Sequence, residues 1–144
     1  MATVKGTNKT LIDTGGMVSQ VAAGLVNGRI KCDLDEYVAA GTETAGTVIE
    51  FFSDLPSGAK IVALIFSSSV EQTTVTMQIG TSYNDDEFAA AGNTTLQAAL
   101  TAWIEHGKGY VVGTASADGQ IILTTAAATL TAGTIYGAVL YTTD

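Results

Sequence analysis

One cysteine, one proline and one histidine stand among the 144 residues of this chain, and each scarcity removes a class of explanation. A lone thiol, Cys32, forms no internal disulfide and no thiolate zinc site, so the fold must be held by its own core. His106 is the only imidazole, and neither a Gly-x-Ser-x-Gly elbow nor a P-loop occurs, which leaves little material for a catalytic constellation. Charge is also sparse: 14% of residues are charged, six basic against fourteen acidic, for a net charge of −8. Phosphate backbones are bound by clustered Lys and Arg, so this balance argues against nucleic acid as a partner. No apolar run approaches the roughly twenty residues that cross a bilayer, which argues against a membrane. The opening MATVKGTNKT has no apolar stretch of the kind found in secretion signals, so the expectation is a soluble protein made in a cytoplasm. Without a secretion signal, the glycosylation sequons at Asn8 and Asn93 are read as chance.

What is present is mostly Thr, Ala and Gly, with a mean hydropathy of +0.32. A chain of this length fits one domain with a core of its own. Its apolar content fits an oligomer with a buried interface, or a chain whose many alanines raise the index without forming a patch. The few basic residues are unevenly placed: Lys5 and Lys9 lie in the first twelve residues, and the rest of the chain holds four basic and all fourteen acidic side chains. Residues 1–27 show no regular period and are read as an extended arm, and residues 28–144 as a single folded domain. The arm docks on something acidic or merely carries two solubilising lysines.

The densest apolar signal is KIVALIFSSSVEQTTVTMQI, residues 60–79. Ile61 to Phe66 are apolar at every position, as in a strand covered on both faces. From residue 73 the pattern alternates, with Val75, Met77 and Ile79 on one face and Thr74, Thr76 and Gln78 on the other. Together these predict a central hairpin. Further strands are expected at residues 29–37, 47–52, 109–112, 120–125 and 135–142, the last covered on both faces. Asn27-Gly28, Pro56 and Asp118-Gly119 mark turns. Leu96, Leu100, Trp103 and Ile104 fall at helical spacing, so residues 94–106 are read as a short helix with His106 at its end, an irregular excursion or β-pairing being the alternatives. Seven short strands with short turns make an all-β antiparallel β-sandwich, jelly-roll-like, with an extended N-terminal arm and one short helix.

Individual residues offer little chemistry. Cys32 alternates with Ile30 and Leu34 and is read as a small core hydrophobe, not as a nucleophile served by His106. Asp33, Asp35 and Glu36, and the run Asp85-Asp86-Glu87, have the oxygen ligands of a hard-cation site but no EF-hand spacing, and are read as solvated surface. Residues 107–113, GKGYVVG, enter a strand and lack dinucleotide-loop spacing. The aromatic residues are spread over nearly every element, which suits core and subunit interface better than a sugar-binding face.

The segments Asn8-Lys9-Thr10-Leu11, Gly28-Arg29-Ile30-Lys31, Asp35-Glu36-Tyr37, Leu55-Pro56-Ser57-Gly58-Ala59-Lys60-Ile61 and Ile79-Gly80-Thr81-Ser82 occur in that order along the chain. They are followed by residues 84–91 (NDDEFAAA), 109–113 (GYVVG) and 130–135 (LTAGTI). In these motifs the chain resembles a family of small head proteins of tailed bacteriophages, typically encoded beside the major capsid protein. The resemblance implies a non-enzymatic capsid decoration, or cement, protein: a β-sandwich assembling as homotrimers on the outer surface of the virion head and clamping capsomers against the pressure of packaged DNA. Its implied partners are the major capsid protein and further copies of itself, with no cofactor, metal, nucleic acid or membrane. A flexible arm suits docking by strand addition, and Lys5, Lys9, Leu11 and Ile12 are the expected capsid contacts. A tail or fibre component and a carbohydrate-binding module on the virion surface are the alternative readings.

Overall fold

The computed structural model describes residues 29–52, 55–91, 96, 102–114 and 121–143. Among these it contains seven strands and no helix: β1 (Ile30–Ala39), β2 (Val48–Glu50), β3 (Lys60–Ser68), β4 (Thr76–Thr81), β5 (Trp103–His106), β6 (Ile121–Ala127) and β7 (Gly133–Thr142). They form two antiparallel sheets, a four-stranded one in the order β1-β7-β3-β5 and a three-stranded one in the order β2-β6-β4. Odd-numbered strands lie in the first sheet and even-numbered strands in the second, so every connection crosses from one sheet to the other. Ala89 makes an isolated bridge to Ile79 and extends the smaller sheet beyond β4. Crossing at every step, with β7 returning beside β1, is the connectivity of a jelly-roll sandwich.

The alternation of inward side chains explains the core. Leu64 and Phe66 of β3, Ile135 and Val139 of β7 and Trp103 of β5 face Met77 and Ile79 of β4 and Ile121 and Leu123 of β6, all fully or nearly fully buried. Phe66 lies edge-on to Phe51, with ring centroids 5.2 Å apart, and tilted against Trp103 at 6.4 Å. Gly137 makes room for this stack, because a Cβ there would stand 3.0 Å from the Phe51 ring and 3.1 Å from the Phe66 ring.

Several sequence expectations need correction. The hairpin over residues 60–79 does not form: β3 and β4 belong to opposite sheets. The connection between them is anchored by the buried Gln72, whose Nε2 donates to the Thr131 carbonyl at 3.0 Å and whose Oε1 accepts the Thr131 N–H at 2.9 Å. That two-point bond ties the β3–β4 connection to the β6–β7 connection, and it turns the chain across the sandwich instead of back on itself. The strand β3 is covered on one face, not both: Val62 is exposed and Ala63 and Ile65 are half-buried. The outward residues Ala138 and Leu140 of β7 are likewise half-buried, and Tyr136 is exposed.

Residues 103–106 are not helical. They pair antiparallel with β3, Trp103 opposite Phe66 and His106 opposite Ala63. Burying the indole in the sandwich outweighs the helical spacing, and most of residues 94–101 lie outside the described residues. The strand expected at 109–112 reduces to a bridge between Lys60 and Val111 after a turn through Lys108 and Gly109, both at positive φ. The Asp118-Gly119 turn lies outside the described residues.

Candidate functional site: the outward face and first-strand edge of the larger sheet

Strand β1 shows why its sequence pattern misleads. Over residues 30–35 an apolar set, Ile30, Cys32 and Leu34, alternates with a charged set, Lys31, Asp33 and Asp35, as if the first were core and the second surface; Glu36 and Val38 continue the face of the first. Pairing with β7 reverses this. Directly opposed residues of antiparallel strands share a face, and Lys31, Asp33 and Asp35 stand opposite Tyr141, Val139 and Gly137, which are core residues of β7. The charged set is therefore on the core side of the sheet. It stays solvated, since nearly the whole strand is exposed. The apolar set points outward, with Leu34 78%, Val38 68% and Ile30 62% exposed.

The register continues this face across the sheet. Leu34, Ala138, Ile65 and Ile104 form one row, from β1 through β7 and β3 to β5, and Cys32, Leu140, Ala63 and His106 form the next. Tyr136 and Val38 extend it along β7 and β1. At strand spacings near 4.8 Å the two rows are about 14 Å wide, and along β1 the face runs about 27 Å from Ile30 to Val38, with Glu36 on it between Leu34 and Val38. Exposed clusters of large apolar side chains on one face are often functional. A shallow depression lined by Leu34, Asp35, Glu36, Tyr136 and Gly137 lies on β1 and β7.

The C-terminal end of β1 is pinned by a carboxylate. Glu43 folds back under the loop that follows β1. Its Oε1 accepts the Tyr37 hydroxyl and the Ala40 N–H, both at 2.8 Å, and its Oε2 accepts the N–H groups of Gly41 and Thr42, both at 2.9 Å. These donors, the Ala40 amide foremost, outweigh the cost of burial and hold the Glu43 carboxyl at about 2, well below its ordinary 4.5. The same hydrogen bond pushes the Tyr37 phenol upward. Farther along the sheet, burial and then the neighbouring Asp33 carboxylate push Tyr141 upward.

The residues singled out from sequence fare unevenly. Cys32 is an exposed thiol on the outward face, not a core residue. His106 sits on the opposite edge of the same sheet, in a strand and not at a helix end, and its Nδ1 accepts the Lys108 N–H at 2.9 Å. Three strand spacings, about 14 Å, separate the two, too far for a nucleophile and its base. In the run 85–87, Asp85 accepts a hydrogen bond from the Gln78 amide and Glu87 one from Asn84. Among the described residues no three His, Cys, Asp or Glu side chains gather as a metal site. Lys5, Lys9, Leu11 and Ile12 lie outside the described residues. Sequence reasoning missed the outward face, although its signal was present in the alternation of β1.

No family model and no curated protein matches the chain. Solved structures do match. One is a chain of the cyanophage Pam1 capsid asymmetric unit, with a TM-score of 0.65 and 20% identity over 83% of this chain and 88% of that one. Another is a chain from the capsid of Ralstonia phage GP4, with a TM-score of 0.56 and 18% identity over 81% of this chain and 86% of that one. At these identities the likeness is one of fold, and it spans nearly the whole of each matched chain.

Proposed function

We propose that this chain is a structural, non-enzymatic protein of a tailed-phage head, which decorates the outer surface of the capsid and clamps neighbouring capsomers against the pressure of packaged DNA. One observation carries the reading. The sequence alternates in β1 as though Ile30, Cys32 and Leu34 were to be buried, yet the folded chain leaves them exposed on an outward face that Ala138, Ile65 and Ile104 continue, with Glu36 standing between Leu34 and Val38. A partner has to supply the missing cover. The likeness in fold to chains of two phage capsids supports the major capsid protein as that partner. The net charge of −8 supports a position outside the shell, since packaged DNA repels an acidic protein.

The mechanism is differential burial. Covering an exposed Leu, Ile or Val side chain contributes about 1.5–3 kcal/mol when complete, so Leu34, Val38, Ile30 and Ile104 together form a docking surface that a capsomer of complementary shape fills. In this proposal residues 1–27 are an arm outside the sandwich domain of residues 28–144, and they add contacts through Lys5, Lys9, Leu11 and Ile12. Assembly as a homotrimer multiplies those contacts, so that modest single sites give strong avidity.

The test is co-sedimentation with capsids of the encoding phage that lack the protein. The wild-type chain pellets with them. A variant lacking residues 1–15 remains a folded oligomer and pellets less. The double variant L34K/I104K, altered only at exposed positions, keeps its folding stability within about 0.5 kcal/mol and loses capsid binding by at least tenfold. Undiminished binding of L34K/I104K would remove the outward face from the mechanism, and wild-type protein that ignores capsids would refute the function.

A further inference from the structure

Among the described residues the edges of the two sheets are unequal. The edge strands β2, β4 and β5 have three, six and four residues, but β1 has ten and is exposed along almost all of them. A long exposed edge is a template for strand addition. Folded proteins usually defend such an edge with inward-pointing charges, and β1 has these in Lys31, Asp33 and Asp35 on its core side. Their order, however, makes the strand complementary to itself.

The geometry points to a second copy of this chain as the occupant of the β1 edge, paired antiparallel about a two-fold axis through Cys32. A two-fold perpendicular to the sheet keeps inward residues opposite inward residues, so the axis must pass at a residue position. With the axis at Cys32, Lys31 stands opposite Asp33 of the second copy and Arg29 opposite its Asp35, and both pairs occur twice by symmetry. On the outward side Ile30 stands opposite Leu34, and the two Cys32 side chains meet on the axis. Every charge from residue 29 to residue 35 faces its opposite, and apolar faces apolar.

Neighbouring registers fail. An axis at Lys31 or at Asp33 sets that residue against itself, and an axis at Leu34 opposes Asp33 to Asp35. Like charges directly across a strand pair are destabilising. An axis at Ile30 opposes Arg29 to Lys31, and one at Asp35 or Glu36 again sets a carboxylate against itself, so of the axes from Ile30 to Glu36 the charges admit only the one at Cys32. Pairing there extends each four-stranded sheet into one of eight strands and doubles the length of the outward apolar face. Being a two-fold contact, it is distinct from any three-fold contact; between trimers it would join a subunit of one to a subunit of the next.

Cys32 reports the pairing directly. Opposed Cα atoms in an antiparallel pair stand about 4.5 or 5.5 Å apart, and disulfides span Cα separations of about 4.4–6.8 Å. The experiment treats the full-length protein with diamide, which takes two electrons and two protons from a thiol pair and leaves a disulfide. Products are read on a non-reducing denaturing gel, so the result does not depend on any other oligomer or on capsid binding. The wild type gives a cross-linked dimer. K31D slows its formation roughly tenfold, as expected for two exposed ion pairs turned repulsive, and K31D/D33K restores the rate because the pair is reinstated with reversed sign. C32S/V38C, with its thiol at another exposed position of the same face but off the axis, cross-links at least tenfold more slowly than wild type. Equal rates for C32S/V38C and wild type, or failure of the charge reversal to rescue K31D, would overturn the proposal.

Discussion

Replacing Glu43 by Gln isolates what its charge does for the edge of the larger sheet. The side chain keeps its shape but loses half of its accepting capacity, so two of the four donors, Tyr37 O–H and the N–H groups of Ala40, Gly41 and Thr42, are left facing an amide NH₂. Lowering a carboxyl from 4.5 to about 2 corresponds to about 3.4 kcal/mol of preference for the ionised form. Glu43 lies within the loop between β1 and β2, near solvent that screens part of that preference, and Gln keeps part of the hydrogen bonding, so about 2 kcal/mol is the expected loss of stability at pH 7. The sign follows from linkage. Because the folded-state value is depressed, the stabilisation is present in full above about 4.5 and disappears as pH falls toward about 2. Urea unfolding of wild type and E43Q at pH 7, 4 and 2.5 measures this: the gap between the two closes as pH falls. Hydrogen exchange adds a local readout, with the Ala40, Gly41 and Thr42 amides losing protection in E43Q. A gap that is the same at pH 7 and pH 2.5, or no gap at pH 7, would refute the role assigned to the charge.

Two further substitutions test the packing that sets the topology. Gln72→Ala removes both bonds to Thr131 from a fully buried site and leaves a cavity, and is expected to cost about 3 kcal/mol in chemical denaturation; a loss below about 1 kcal/mol would mean that the cross-sandwich link contributes little. Gly80→Ala places a Cβ 2.1 Å from the Asn84 carbonyl oxygen, so the turn after β4 must move. A loss of about 2–3 kcal/mol is expected, read as a lower Tm, and an unchanged Tm would contradict the close approach.

Six of the seven strands were legible, some from alternation, as in Val75, Met77 and Ile79 around β4, and β3 from the unbroken apolar run Ile61 to Phe66. The all-β sandwich follows from them. Strand β5 was not legible: four residues are too few to show a period of two, and Leu96, Leu100, Trp103 and Ile104 imitate a helix until β3 is available as a partner. The hairpin error has a different cause. Consecutive strands are neighbours in most folds, and nothing local in residues 69–75 announces that Gln72 will bond to Thr131, nearly sixty residues later. The outward face shows a third limit. Alternation in β1 establishes that its two faces differ, but which one is covered depends on what packs against the sheet, and here most of β1 is exposed on both faces.

Electron cryomicroscopy of the intact particle that encodes this chain tests the central claim most directly. The account predicts copies of the sandwich on the outside of the head, bridging adjacent capsomers, with Leu34 and Ile104 buried against capsid protein. Density confined to the tail or its fibres, or copies on the head whose larger sheet faces solvent, would contradict it.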